Sequence, residues 1–315
     1  MAKRTKYPIH SDFKKWSHFN PPLKRFMVPT MQRLMSLLFL CEKSTKQLKV
    51  EKKRIPVGNG DTIRALWYCP KDVGDNAPCL IYYHGGGFVI PPAPYQFNLA
   101  KEYALRARCK MLFVDYRLAP KYKFPTAPED CYAAYMWVIE NADELKIDPT
   151  HIAVAGDSAG GQLSTVVCLM AQERGQALPC CQMMIYPAVG GVETESMKMF
   201  TDTPMCNSKD VEYYTNYYVA GALIENPVYC SPIEAESLQG LPDAYIETAE
   251  FDCLRDEAIL YAERLEQFGV HVELHNTKGT MHGFDIVLQS PIVRECMDNR
   301  VAFFTRNFSK KPTIK

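Results

Sequence analysis

A serine between two glycines carries the clearest chemical signal in the sequence. The segment Val154-Ala155-Gly156-Asp157-Ser158-Ala159-Gly160 fits the pattern Gly-x-Ser-x-Gly and joins a strand-like run to a helix-like run. A serine on so sharp a turn has a strained backbone, so the residues two positions before and after it must be small. The pattern predicts that Ser158 is raised above a sheet at a helix N-terminus, where its hydroxyl can act as a nucleophile. A tight turn without chemistry is the alternative.

A glycine run follows an earlier buried strand, in His84-Gly85-Gly86-Gly87-Phe88. Attack of a hydroxyl on a carbonyl carbon creates an oxyanion, which backbone N–H donors stabilise. We expect the N–H groups of Gly85, Gly86 and Ala159 to supply this oxyanion hole. A phosphate-binding loop would continue with Gly-Lys-Ser/Thr, whereas Phe88 follows here. His84 precedes the donors, so we expect it to anchor the loop.

A serine nucleophile needs a base and an acid that orients the base. Among the seven histidines, His282 lies beyond the last predicted strand in a glycine-flanked loop, whereas His275 lies within that strand and is predicted to be structural. Asp252 follows the end of the preceding predicted strand, where its carboxylate can reach the neighbouring loop. Glu250 is a rival acid, and Asp256 suits the first turn of the next helix.

These residues require a scaffold in which several strands end at one edge. Two strands around the turn Gly58-Asn59-Gly60-Asp61 are followed by alternating strands and helices, which predicts a mostly parallel sheet covered by helices on both faces. The predicted strands are 50–57, 63–68, 79–83, 111–115, 151–155, 181–186, 243–248 and 270–276, and the predicted helices are 95–109, 128–142, 159–174, 256–268 and 291–307.

Two segments do not follow the alternation. Residues 1–48 have a helical, amphipathic pattern, and residues 188–230 are rich in tyrosine and methionine without a clear strand, which predicts a helical insertion over the sheet edge. We expect the apolar stripe of the first segment to pack against the rest of the protein rather than to bind a membrane. The stripe consists of Phe26, Met27, Met31, Leu34, Met35, Leu38 and Phe39.

Composition excludes several classes of function. Lys and Arg number 36, as do Asp and Glu, so the net charge of zero gives no general attraction for nucleic acid. The twelve cysteines form no C-x-x-C pair, and many lie in apolar runs, which favours buried, reduced thiols and a cytoplasmic location. The apolar run at 34–40 is too short to span a bilayer and lacks a cleavage site, so we expect neither a signal peptide nor stable membrane insertion.

Five motifs in order resemble the hormone-sensitive-lipase-like esterases of the α/β-hydrolase superfamily. They are His84-Gly85-Gly86-Gly87, Asp115-Tyr116-Arg117-Leu118-Ala119-Pro120, Gly156-Asp157-Ser158-Ala159-Gly160, Asp252-x-Leu254-Arg255-Asp256 and His282-Gly283-Phe284. The resemblance covers roughly residues 50–305 and implies an α/β-hydrolase fold with an eight-stranded sheet. It implies a core of residues 49–187 and 231–315, with cap segments at 1–48 and 188–230.

The resemblance also implies a function. Ser158, Asp252 and His282 would form a catalytic triad that hydrolyses small-molecule esters of short- to medium-chain acids, without a metal or organic cofactor. A homodimer is compatible with it. Arg117 is expected to pair with buried carboxylates, and Cys253 stands where many relatives carry proline. The alternatives are a non-catalytic receptor on the same fold and a lipase active at a lipid interface; amidase or lactonase activity would also suit the triad.

Overall fold

The fold is known from a computed structural model, which describes residues 6–21 and 26–310. Eight strands form one sheet in the order β1-β2-β4-β3-β5-β6-β7-β8. The hairpin partner β2 is antiparallel to both β1 and β4, and the pairs from β4 onward are parallel. The strands are β1 Leu48–Pro56, β2 Thr62–Pro70, β3 Ala77–Tyr83, β4 Lys110–Asp115, β5 Ile147–Asp157, β6 Gln182–Ile185, β7 Ala244–Phe251 and β8 Val272–Met281.

Helices connect the parallel strands and cover the sheet. The α-helices are α1 Val28–Cys41, α2 Pro94–Arg106, α3 Thr126–Glu140, α4 Ala142–Leu145, α5 Ala159–Glu173, α6 Glu195–Met199, α7 Ser208–Val219, α8 Arg255–Gln267 and α9 Pro291–Phe308. A short 3₁₀ helix, Ser11–Trp16, precedes α1. The predicted α/β fold with a mostly parallel eight-stranded sheet is confirmed.

Alternation along the strands explains why the sheet has a core on each face. Leu112 and Val114 of β4 join a cluster with residues of α3, α5 and α8, whereas Met111 and Phe113 join a second cluster with α2 and α9. Because successive side chains of a strand point to opposite faces, a continuous apolar run is buried on both sides. The apolar runs predicted as strands therefore become the central strands.

The last strand continues further than predicted. The sequence predicts that this strand ends at residue 276, but β8 extends to Met281. The register with β7 shifts between Ala249 and Phe251, after which Phe251 pairs with Met281. Gly279 lies in this irregular stretch with φ +71°, and the Glu250 carboxylate accepts its N–H at 2.7 Å. An irregularity in pairing therefore lets the strand pass through a segment whose glycines had indicated a loop.

The first segment is only partly packed against the core. Val28 and Phe39 of α1 are buried, but Phe26, Met27 and Leu34 are exposed, at 78%, 38% and 62%. The prediction that the apolar stripe packs against the protein is therefore wrong for these three residues. The part of the predicted helical segment in residues 1–5 and 22–25 lies outside the described residues.

Candidate active site

The strand-to-helix turn holds Ser158 in a conformation that requires its glycine neighbours. Ser158 precedes α5 with φ 55° and ψ −120°, a strained backbone for a residue with a side chain. A Cβ on Gly156 would lie 2.3 Å from the Gly160 carbonyl oxygen, and one on Gly160 would lie 1.9 Å from the Tyr83 carbonyl oxygen. No side chain fits at either position, so the two glycines allow β5 and α5 to approach closely around the serine.

The structure brings together the side chains of the three predicted triad residues. His282 Nε2 lies 2.9 Å from Ser158 Oγ, and His282 Nδ1 donates to Asp252 Oδ2 at 2.7 Å. Asp252 Oδ1 also accepts the Leu254 N–H at 3.0 Å, which fixes the carboxylate in its loop. Asp252 follows β7 and His282 follows β8, so neighbouring parallel strands deliver the acid and the base to one edge.

Burial and charge act in opposite directions on the imidazole of His282. Burial lowers its pKa, because it disfavours the charged ring, but the Asp252 carboxylate and other neighbouring groups outweigh burial. The net effect raises the pKa of His282 to about 9. The site therefore stabilises the imidazolium, which is the form of a general base after it has taken a proton.

One predicted oxyanion donor is not available. The Gly85 N–H donates to Asp157 Oδ1 at 2.9 Å, so it is already used inside the protein. This hydrogen bond contradicts the prediction that Gly85 binds the oxyanion. The N–H groups of Gly86 and Gly87 have no acceptor among the described residues, and Ala159 is the first residue of α5, where helical N–H groups lack partners.

His84 anchors the loop of residues 84–88, which we call the oxyanion loop. Its Nδ1–H donates to the Gly85 carbonyl oxygen at 2.7 Å, and its ring stacks on Tyr116 with centroids 4.4 Å apart. Burial lowers the pKa of His84 to about 4, so the ring is neutral near pH 7. Its position and contacts agree with the expected anchoring role.

Asp157 is a residue that sequence reasoning missed. Its fully buried carboxylate accepts hydrogen bonds from Tyr82 Oη at 2.8 Å and from Gln96 Nε2 at 2.8 Å, in addition to Gly85. Burial raises its pKa, although these donors favour the charged form. The only signal in the sequence was its place beside Ser158, which does not reveal where the side chain points.

The rivals for the acid and the base have other partners. Asp256 lies in the first turn of α8 and accepts the Ser196 N–H of α6 at 2.8 Å, while Glu250 binds Gly279. The ring of His275 stacks on Tyr245 within the sheet, at 4.8 Å between centroids. Arg117 pairs with the buried Asp130 and also with the exposed Asp61, so one of its two carboxylate partners is buried as expected.

A cavity of about 1500 Å³ lies above Ser158 and His282. Most of its lining is apolar, and it is lined both by the N-terminal segment and by residues after β6. Tyr214 of α7 lies directly over the oxyanion loop, because a Cβ on Gly87 would meet its ring at 2.3 Å. Among the described residues, no group of three His, Cys, Asp or Glu could hold a metal ion.

Comparison with known proteins identifies the family. A model for the alpha/beta hydrolase fold matches residues 80–286. Carboxylesterase NlhH of Mycobacterium tuberculosis is 36% identical over 266 residues, which cover 82% of this chain and 83% of the relative. The chain belongs to the hormone-sensitive-lipase-like esterase family of the α/β-hydrolase fold.

Solved structures agree with this assignment. A bacterial heroin esterase has a TM-score of 0.86 and 30% identity, with 96% of this chain and 99% of that chain covered. A hyperthermophilic esterase from the archaeon Pyrobaculum calidifontis has a TM-score of 0.80 and 36% identity, covering 89% of this chain and 93% of that one. The fold of this hydrolase-family member is therefore shared with solved esterases over most of its length.

Proposed function

We propose that the protein is a serine carboxylesterase that hydrolyses small esters of short- to medium-chain acids through an acyl-enzyme on Ser158. The observation that carries the proposal is the continuous chain from Ser158 Oγ to His282 to Asp252, with separations of 2.9 and 2.7 Å, beneath an apolar cavity. Relatives that cover most of the chain are named carboxylesterases, which supports the same reaction.

The reaction has two half-steps. His282 takes the proton of Ser158 while Oγ attacks the ester carbonyl carbon, and the oxyanion is bound by the N–H groups of Gly86, Gly87 and Ala159. His282 then protonates the leaving alcohol, which leaves the acyl group on Ser158. Water attacks the acyl-enzyme with His282 again as base, and the acid is released. Asp252 holds the Nδ1–H tautomer and stabilises the imidazolium.

We also propose how the chain is organised and where it acts. The segments 1–48 and 188–230 would supply a cap over a core of 49–187 and 231–315, a division supported by the described residues of both segments that line the cavity. A cytoplasmic location is supported by the twelve cysteines, all of which are free thiols. No helix in residues 6–21 and 26–310 is long and apolar enough to cross a membrane. The homodimer stays a prediction, and light scattering can test it by measuring the molar mass of the protein in solution.

Turnover of p-nitrophenyl esters tests the proposal. Ser158→Ala should abolish hydrolysis of p-nitrophenyl butyrate and the initial burst of nitrophenol, whereas Ser309→Ala, at an exposed serine remote from the cavity, should leave both unchanged. Wild-type protein without turnover would favour the non-catalytic receptor. An acyl series from acetate to palmitate tests chain length, and equal rates across it would contradict the short- to medium-chain preference.

A further inference from the structure

Helix α1 carries apolar side chains on two sides, but only one side is covered, and the uncovered side also exposes Thr30 and Arg33. Its inner side is fixed to the protein by the buried Val28 and Phe39 and by Gln32, whose amide donates to the Val89 and Ala119 carbonyl oxygens at 2.8 and 2.7 Å. The apolar side chains of a surface helix normally face the core, so exposed leucines on the opposite side of α1 are unusual. We call that exposed side the outer face; it consists of Leu34, Leu37 and Leu40, with Phe26 and Met27 just before the helix.

The apolar side chains of the outer face are strongly exposed to solvent. Its three leucines are 62%, 54% and 48% exposed, and Phe26 is 78% exposed. Phe19, in the preceding segment, is 42% exposed and lines the cavity. Single exposed apolar side chains are ordinary, but a contiguous group on one helix marks a contact surface. These residues therefore form a patch that another apolar phase or partner would cover.

Charge indicates which partner covers it. Residues 1–48 contain ten Lys and Arg against two Asp and Glu, a net charge of +8 in a chain whose total is zero. Within the described residues, Lys14, Lys15, Arg33, Lys43 and Lys46 are exposed and form no ion pair. Of these, Arg33 is in α1, Lys43 and Lys46 follow it, and Lys15 lies over the Trp16 ring. Exposed leucines on a helix in a segment rich in exposed cations are the pattern of a helix that lies in the interface of an anionic bilayer.

We propose that the outer face of α1 docks the protein on anionic phospholipid membranes, as a peripheral contact beside the mouth of the cavity. The leucines would enter the boundary between headgroups and acyl chains, and the exposed cations of the segment would meet lipid phosphates. Met31 and Met35, on the inner side of the same helix, line the cavity, so a docked helix would bring the cavity close to the lipid. Docking of this kind is a property distinct from ester hydrolysis and does not require it.

Vesicle flotation tests the docking. Full-length protein should float with vesicles of phosphatidylcholine and phosphatidylglycerol at low salt, and much less with phosphatidylcholine alone or at high salt. Leu34→Ser/Leu37→Ser should weaken the partition by about tenfold or more. The matched control is Leu260→Ser/Leu274→Ser, which removes two leucines that are 40% and 42% exposed on α8 and β8, away from the outer face. It should float like the wild type.

Membrane docking is distinguishable from ester hydrolysis and from dimer formation. Ser158→Ala should float normally, so a failure of the esterase proposal would leave this measurement intact. Neither Leu34 nor Leu37 lines the cavity, so Leu34→Ser/Leu37→Ser should retain hydrolysis of p-nitrophenyl acetate. Retained hydrolysis would also show that this variant folds. Absence of flotation by the wild type, or equal flotation by Leu34→Ser/Leu37→Ser, would overturn the docking. A third outcome would also overturn the docking. If the wild type is a dimer that does not float, and Leu34→Ser/Leu37→Ser is a monomer, then the outer face binds a second copy of the chain.

Discussion

The Asp157 carboxylate accepts the Gly85 N–H, which joins the residue before the nucleophile to the oxyanion loop. The same carboxylate is bound by Gln96 and Tyr82, so three parts of the chain meet at one buried charge. Buried charges are tolerated when hydrogen bonds satisfy them, and the resulting geometry is well defined. Asp157 therefore positions the loop whose remaining N–H groups we propose as oxyanion donors.

Asp157→Asn should lower kcat for p-nitrophenyl butyrate by about 10²-fold, with a smaller change in KM, because misplaced donors weaken transition-state binding. The new amide would set an NH₂ group against the NH₂ of Gln96, which now donates to the lost carboxylate oxygen. Adding Gln96→Glu restores a donor–acceptor pair and the original charge, so the double variant should recover much of kcat. A double variant no better than Asp157→Asn would contradict the positioning role.

The pH dependence of activity should report on His282. Only the neutral imidazole can take the serine proton, and the pKa of His282 is raised to about 9. kcat/KM for p-nitrophenyl butyrate should therefore fall as the pH drops below that value, by about tenfold per pH unit. The midpoint should lie above 6.5, the usual value for histidine.

Asp252→Asn provides the control for this pH profile. Loss of the carboxylate should move the midpoint downward, because burial then acts on the ring without its counter-charge. It should also reduce kcat by about 10⁴-fold through loss of the correct tautomer. A midpoint that stays unchanged in Asp252→Asn would show that another group controls the profile.

A buried ion network supports the sheet behind the active site. Arg300 of α9 is fully buried and binds Glu247 Oε2 at 3.1 Å and Asp285 Oδ1 at 3.0 Å. Asp285 also accepts the hydroxyl of Tyr186, whose ring lies 4.8 Å from that of His282. The network therefore reaches from the last helix to the ring beside the base.

Arg300→Met should cost about 3–5 kcal/mol in the free energy of unfolding, since it leaves two buried carboxylates without a counter-charge. Urea denaturation would measure this loss. Arg306→Met, in the same helix, removes an exposed pair with Glu273 and should cost about 1 kcal/mol or less. Adding Glu247→Gln and Asp285→Asn to Arg300→Met should restore part of the stability. Equal losses for the two arginine variants would contradict the burial argument.

The sequence predicts those features of the fold and the active site that have a steric or topological cause. The glycines around Ser158 have a steric cause and the loops after two strands have a topological one, so the sequence alone predicts that the three side chains meet at one edge of the sheet. The direction of the Asp157 side chain has no such signature, and Gly85 was therefore assigned wrongly. The exposure of Leu34 was also missed, because periodicity shows that a helix has an apolar side but not whether anything covers it.

The buried carboxyl of Glu257, in α8, should make the free energy of unfolding depend on pH. It is buried beside the cavity and accepts the Val189 N–H at 2.8 Å, and burial raises its pKa to about 8. Because this pKa lies above the usual 4.5, the folded state prefers the neutral carboxyl. Its contribution to stability is fully present below pH 4.5 and is lost as the pH rises through about 8. Glu257→Gln, which keeps an acceptor but cannot ionise, should therefore raise Tm relative to the wild type at about pH 9 and change it little at about pH 5.

Thermal unfolding of Glu257→Gln and Glu263→Gln across this range provides the measurement. Glu263 is exposed on the same helix, so its variant should show a small difference in Tm from the wild type at every pH. If the difference for Glu257→Gln stayed constant between about pH 5 and about pH 9, the carboxyl would not titrate in the folded state over that interval. A difference in Tm that grows with pH for Glu257→Gln alone would show that the folded state holds the Glu257 carboxyl neutral at the lower pH, as its raised pKa requires.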